Sequence, residues 1–227
     1  MKEAFTGFSP CTVDFLMGIR HNNEKAWFEE HKDAYLQDLL APMNALGHAV
    51  FARMQTEYAK QGFVLKFTRI YRDARRLHGR GMYKDNLWFT IARPSEDMSA
   101  TPVLWFELTP DEWSYGLGYY MAKPATMAKL RARMDKDPKA FERLIAPLAK
   151  QTEFVLEGPE YTRKKEAPTP GVAEWYNRKS FALGHTQAHG EEIFRENLVD
   201  RLVEGYGFLM VYYDYFAAVD RDLEVGV

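Results

Sequence analysis

VLWFELTPDEWSYGLGYYM, residues 103–121, decides how the rest of the chain is read. Successive side chains of a strand point to opposite faces. Leu104, Phe106 and Leu108 therefore share one wholly apolar face, and Trp105 and Glu107 share the other. Pro110-Asp111 reads as a tight turn. Val103–Thr109 and Glu112–Met121 then form an antiparallel pair. Gly116 and Gly118 fall on one face of the second strand. Strand glycines mark a bulge or a close approach of another backbone; a groove open to a ligand is the other reading.

Two further strand-like runs precede this hairpin, Phe63 to about Arg72 and Leu87 to Arg93. Before them the period is helical. Ser9-Pro10 reads as a cap and first turn, opening a helix to about Arg20 that buries Val13, Leu16 and Met17. Asn23 is expected to cap the next helix, which carries Trp27, His31 and Tyr35 on one face. Pro42 predicts a break or kink, and Met43 to about Lys60 predicts a helix ending at Gly62.

Helical spacing returns after Pro124, with Met127, Leu130 and Met134, then Phe141, Leu144 and Leu148. A strand over 153–156 follows, then a long loop, GPEYTRKKEAPTPG, at 158–171. A short helix over 174–177 and a strand over 179–183 come next. Residues 191–218 are helical in period, with Gly205 and Gly207 expected to break them. Strands set between helical segments predict an α+β fold, with helices packed on a mainly antiparallel sheet. No Gly/Ser or Pro-rich linker divides the chain, which predicts a single domain over 1–227: helices in 9–60, sheet in 63–121, helices and strands in 124–222.

Composition narrows the function classes. The 227 residues are 46% hydrophobic and 15% aromatic, ample for a core, and the formal net charge is −2. A nucleic-acid binder acting by bulk charge is excluded. The single cysteine, Cys11, excludes an internal disulfide and a multi-cysteine metal cluster. The N-terminus has no apolar stretch long enough for a signal peptide, and no run approaches the ~18 apolar residues of a membrane span. A cytoplasmic protein with no membrane association is the expectation.

The charge is unevenly placed. Residues 66–84 hold seven basic side chains against Asp73 alone, a net +6, whereas 191–227 hold nine acidic and three basic ones, a net −6. Either the two segments cancel each other, or the basic one faces a ligand. If the strand from Phe63 reaches Arg72, then Thr68, Ile70 and Arg72 share the core face. An inward arginine is costly without a carboxylate or a bound anion. Guanidinium grips a phosphate, sulfate or carboxylate through two parallel bonds. The following His78-Gly79-Arg80-Gly81-Met82-Tyr83-Lys84 combines permissive glycines with donors. It lacks the Gly-Lys-Ser/Thr ending of a P-loop, and reads as a generic anion cradle.

Three blocks carry a family likeness: Asn22-Asn23 with Trp27-Phe28 and His31-Lys32-x-x-Tyr35; Arg69-Ile70-Tyr71-Arg72-Asp73-x-Arg75; and Arg80-x-x-Tyr83-Lys84. In order and spacing the chain resembles the DUF2461 family. Phe5-Thr6-Gly7-Phe8 and Gly118-Tyr119-Tyr120 resemble it too, so the likeness is clearest over residues 5–121. The resemblance implies kinship without an activity, since the family is of uncharacterised function. The chain departs from the pattern at Arg75-Arg76-Leu77 (usually Arg-Phe-Ser), at Gly79-Arg80 (usually Asp-Lys) and at Met82 (usually Pro). Were the missing acid catalytic in relatives, this chain would lack that activity.

Other constellations are weaker. The Trp27/His31/Tyr35 stripe has the look of a core face, although a histidine such as His31 is a residue type suited to acid–base work. His185 and His189 have the spacing of a helical metal pair but lack the Glu of the metalloprotease motif, and flanking Gly184 and Gly190 favour a loop. Cys11 sits near a helix start, where a thiolate is stabilised, but no motif surrounds it. No metal site and no cofactor are expected. The leading expectation is a small anionic or phosphate-bearing ligand held by Arg69, Arg72, Arg75, Arg80 and Lys84 and oriented by Tyr83, with His31 as the candidate catalytic residue. Nucleic acid stacked on Tyr71, Trp88 and Trp105 is the second reading. An interaction module whose basic stretch pairs with the acidic C-terminus is the third. Whether the protein is an enzyme, and its oligomeric state, stay open.

Overall fold

A computed structural model describes residues 4–77, 79–95 and 101–222, with Arg76 described in its backbone only. His78, which belongs to the expected cradle, lies outside the described residues. Helix α1 (Pro10–His21) starts at Ser9 and Pro10 as the sequence predicts and buries Thr12, Phe15, Leu16 and Ile19; Met17 is exposed. A nearly continuous helical run follows: α2 (Lys25–Glu30), α3 (Lys32–Ala34), a π-helical turn (Tyr35–Leu40) and α4 (Ala41–Glu57). The run passes through Pro42 with an altered ladder. Proline has no N–H to give the carbonyl four residues back. That carbonyl, of Asp38, accepts instead from the buried Thr12 hydroxyl at 2.5 Å. Gly62 ends the run in the left-handed region at φ 63°.

The strands form one antiparallel sheet in the order β1-β2-β3-β4-β6-β5, which makes the fold α+β. They are β1 (Val64–Phe67), β2 (Leu87–Ala92), β3 (Pro102–Leu108), β4 (Glu112–Tyr119), β5 (Val155–Glu157) and β6 (Ala182–Ala188). Strand β1 pairs with β2 in a register that sets Phe67 against Phe89. On β3, Leu104, Phe106 and Leu108 are fully buried, as the alternation predicts. The helices after the hairpin are α5 (Pro124–Lys136), α6 (Pro138–Ile145), α7 (Ala173–Tyr176) and α8 (Leu198–Val219).

Three expectations fail for identifiable reasons. Strand β1 stops at Phe67, because the Thr68 hydroxyl takes the Trp88 N–H at 3.2 Å and displaces a backbone acceptor from the ladder. The His185–Ala188 segment is strand β6, so the flanking glycines do not make it a loop. Helix α8 runs unbroken through Gly205 and Gly207. Gly205 serves packing: a Cβ there would lie 2.5 Å from the Tyr115 hydroxyl. Gly118 likewise permits close approach, since its Cβ would sit 2.7 Å from the Ala182 Cα.

The chain groups into two compact units, and β3, β4, β6 and α8 each contribute to both. The first unit comprises residues 1–93, 105–115 and 186–205. Its core is rich in rings, with Phe8 stacked on Phe106, Phe106 on Phe89, and Phe67 edge-on to Phe89. The second comprises residues 94–104, 116–185 and 206–227. Its core joins Phe141, Trp175, Phe181 and Phe216 edge to face.

Candidate functional site

The basic stretch of the first unit folds as a small hairpin. Ile70 and Arg72 pair in backbone with Lys84 and Met82, and Tyr71 faces Tyr83 in an antiparallel bridge. Phe28 forms its floor. Tyr83 is buried and stacks on Phe28 at 4.3 Å, while Tyr71 meets Phe28 edge-on at 5.7 Å. Each such ring pair adds about 0.5–1.5 kcal/mol beyond area burial. Burial raises the phenol pKa of Tyr83 and of Tyr35, which also packs on Phe28.

Asn23 clamps the hairpin to the helices. It does not cap α2, whose cap position is Glu24. Its amide nitrogen donates to the carbonyls of Tyr83 (3.0 Å) and Ile19 (3.2 Å), and its oxygen accepts the Tyr83 N–H at 2.9 Å. The side chain thus acts as a one-residue strand partner. A Cβ on Gly81 would run into it, so glycine there is set by contact. Gly79 supplies the turn, at φ 80°.

The cations of the stretch divide into two groups. Arg72 donates from Nε to the Tyr83 carbonyl at 2.8 Å and pairs with Asp85 at 3.4 Å. Asp85 also receives Arg20 at 2.8 Å, and Arg20 reaches Asp111 at 2.6 Å. Burial works to raise the Asp85 carboxyl, but the hydrogen bond from Arg20 and the charges of Arg20 and Arg72 bring it below the ordinary carboxylate value. Arg75 folds back on Asp73 at 2.7 Å. Arg69 and Arg80 are exposed and make no ion pair among the described residues. Lys84 also has no carboxylate partner there; its ammonium donates to the Arg69 carbonyl at 2.7 Å and lies 4.4 Å from the Trp88 ring centre. Burial, then the neighbouring Arg72 charge, hold its pKa below the ordinary lysine value.

The third reading, an exchange between the basic stretch and the acidic C-terminus, is carried by no ion pair among the described residues. Asp200 pairs with Arg53, Glu191 with Arg195, Glu192 with Arg201 and Asp222 with Arg133. The acids that answer Arg75 and Arg72 are Asp73, within the stretch, and Asp85, the residue that follows it. Sequence alternation puts Asp73 on the wrong face for Arg72 and gives no route from Asp85 back across a hairpin.

His31 stacks on Trp27 at 4.0 Å, and its Nδ1 lies 2.8 Å from the Trp27 carbonyl. A carbonyl only accepts, so Nδ1 carries the proton and Nε2 is the basic nitrogen. Both of these contacts lie within one helical turn. Close to the altered ladder of Pro42 lies a cleft of about 230 Å³, whose walls include Phe5, Gly7, Thr12, Gln37, Asp38 and Pro42. None of the basic hairpin lines it. Among the described residues no group of three or more His, Cys, Asp or Glu is placed to hold a metal ion. Among them, too, no helix is long and apolar enough to cross a membrane.

The model of the conserved hypothetical protein family DUF2461 matches residues 11–215, and the chain belongs to that family. No curated protein matches it.

Proposed function

We propose that the protein binds a small anionic, phosphate-bearing ligand at the basic hairpin, with Arg69, Arg80 and Lys84 as the groups that meet it. The observation behind this reading is the division of the cations: Arg72 and Arg75 already have acids, and among the described residues these three do not. An ammonium partly withdrawn from water without a carboxylate gains most from an incoming anion. Arg72 and Tyr83 then act as supports, Arg72 by fixing the Tyr83 carbonyl and Tyr83 by stacking on Phe28. Arg75 stays with Asp73 at the edge. Tyr71, 50% exposed beside Tyr83, offers a hydroxyl and a ring face to the ligand. An acid–base part for His31 belongs to the same proposal in one form only, a proton exchanged at Nε2.

The test is a thermal melt with inorganic phosphate, pyrophosphate and a nucleoside monophosphate at matched ionic strength. A ligand at about 100 times its Kd stabilises the folded state by about 2.7 kcal/mol, a shift of several degrees. The shift is expected in the wild type and lost in Arg69→Gln/Arg80→Gln and in Lys84→Met. Equal shifts in all three proteins would overturn the reading. A response to single-stranded oligonucleotide alone, steeply dependent on salt, would replace it by nucleic-acid binding.

A further inference from the structure

The loop over 158–171 in the second unit is not a slack connection. Asn177, buried, holds it at two points. Its side-chain oxygen accepts the Lys165 N–H at 2.7 Å, and its amide nitrogen donates to the Lys165 carbonyl at 3.3 Å and the Ala173 carbonyl at 2.9 Å. Its backbone carbonyl accepts the Tyr161 N–H at 2.9 Å. Lys179 is tied alongside, donating its N–H to the Pro159 carbonyl at 2.8 Å. Three residues far apart in sequence are thereby set around one ring. The Arg131 guanidinium carbon lies 5.6 Å from the Tyr161 ring centre, the Lys165 ammonium 5.2 Å and the Lys179 ammonium 5.7 Å.

A tyrosine face attracts a cation at this range, but three cations round one ring repel one another. Such a cluster is ordinarily interleaved with acids. Here three acids of the same elements are engaged elsewhere, and Glu166, exposed next to Lys165 in the chain, makes no ion pair among the described residues. Glu160 pairs with Lys164 and Arg178, Glu174 with Arg178, and Asp135, one turn on from Arg131 in α5, takes the Tyr176 hydroxyl at 3.2 Å. Among the described residues none of Arg131, Lys165 and Lys179 makes an ion pair. Arg131 Nη1 is shut off from solvent and has no hydrogen-bond partner among the described residues. The two lysines are exposed.

We infer that Arg131, Lys165 and Lys179 around Tyr161 form a second anion site, independent of the basic hairpin, that takes a doubly or triply charged phosphate group. A single carboxylate answers one of three positive charges. A phosphate monoester or pyrophosphate answers two or three and offers enough oxygens for a guanidinium and two ammonium groups together. The site is held ready by Asn177, so binding orders little of the chain; preorganisation of this kind lowers the cost of binding.

The probe is inorganic pyrophosphate, titrated into the full chain at constant ionic strength and followed by backbone amide NMR shifts. Saturable shifts at Tyr161 and Lys165 are expected, with affinity at least tenfold weaker in Lys165→Gln/Lys179→Gln and in Arg131→Gln, and unchanged in Arg69→Gln. Lys179 is exposed, so Lys179→Gln alone serves if Arg131→Gln does not fold; it is expected to weaken binding several-fold. Non-saturating shifts, shifts matched by chloride at the same ionic strength, or full affinity in Lys165→Gln/Lys179→Gln would each overturn the site. Loss of these shifts in Arg69→Gln would make the two sites one and overturn their independence.

Discussion

Two asparagines do the same work in the two units, and the regions they hold differ in what surrounds them. Asn23 clips the basic hairpin to the helices through the Tyr83 backbone. Asn177 clips the loop over 158–171 through the backbones of Lys165 and Tyr161. The hairpin is the more basic in sequence, yet part of its charge is answered by Asp73 and Asp85. The loop looks balanced in sequence, yet its Glu160 settles on Lys164 and Arg178, and three cations stand round Tyr161. The difference teaches that a candidate anion site is to be sought by unpaired charge rather than by charge density. Pairing is a property of geometry.

The comparison is open to experiment, and its largest test concerns the clamps. Asn23→Ala strips the Tyr83 N–H of its partner and leaves the Tyr83 carbonyl to Arg72 alone, and Asn177→Ala removes the side-chain partner of both the Lys165 N–H and its carbonyl. Leaving buried backbone groups unsatisfied costs about 1–3 kcal/mol each where water cannot replace the bond. Each variant is expected to lose about 2–4 kcal/mol in urea unfolding. A loss under about 1 kcal/mol in either would mean that water takes over that clamp, and the parallel would fail.

A smaller effect separates strut from free cation within the hairpin. Arg72→Met removes the bond to the Tyr83 carbonyl and the Asp85 pair, and is expected to cost about 1.5–3 kcal/mol. Arg69→Met is expected to stay within about 0.5 kcal/mol of the wild type, as exposed substitutions do. Equal losses in urea unfolding would erase the division on which the proposed ligand site rests.

The smallest effect is a pH dependence. The folded pKa of Asp85 lies below its unfolded value. Its contribution is therefore complete above the unfolded value, about 3.9, and is lost as pH falls through the folded one. Asp85→Asn is expected to be about 1 kcal/mol less stable than the wild type at pH 7, with the gap closing below about pH 4. A gap that stays constant down to pH 2 would show that Asp85 acts through shape and not charge.

Much of the fold was legible in local pattern. The alternation of Leu104, Phe106 and Leu108, the Ser9-Pro10 start and the Gly62 stop each report a local backbone preference, and each is found where the sequence puts it. The hairpin's candidacy as a ligand site was legible only as composition. Local reading failed where a side chain substitutes for backbone. Thr68 ends β1 early and Asn23 becomes a strand partner, because a hydroxyl or amide can enter a ladder that sequence periodicity assigns to the main chain. It failed again at Gly205, where a glycine answers a distant Tyr115 rather than breaking its helix.

The sequence by itself determined the family, the α+β class, the placing of most helices and strands, and the two segments of opposite charge. These follow from period, turn chemistry and composition, which are local quantities. Only the tertiary structure decided which acid meets which base. Arg72 finds Asp85 across a hairpin, and Arg131 on α5 finds Tyr161 in the loop over 158–171. Coulomb interactions and hydrogen bonds depend on distance in space, and separation along the chain does not fix that distance.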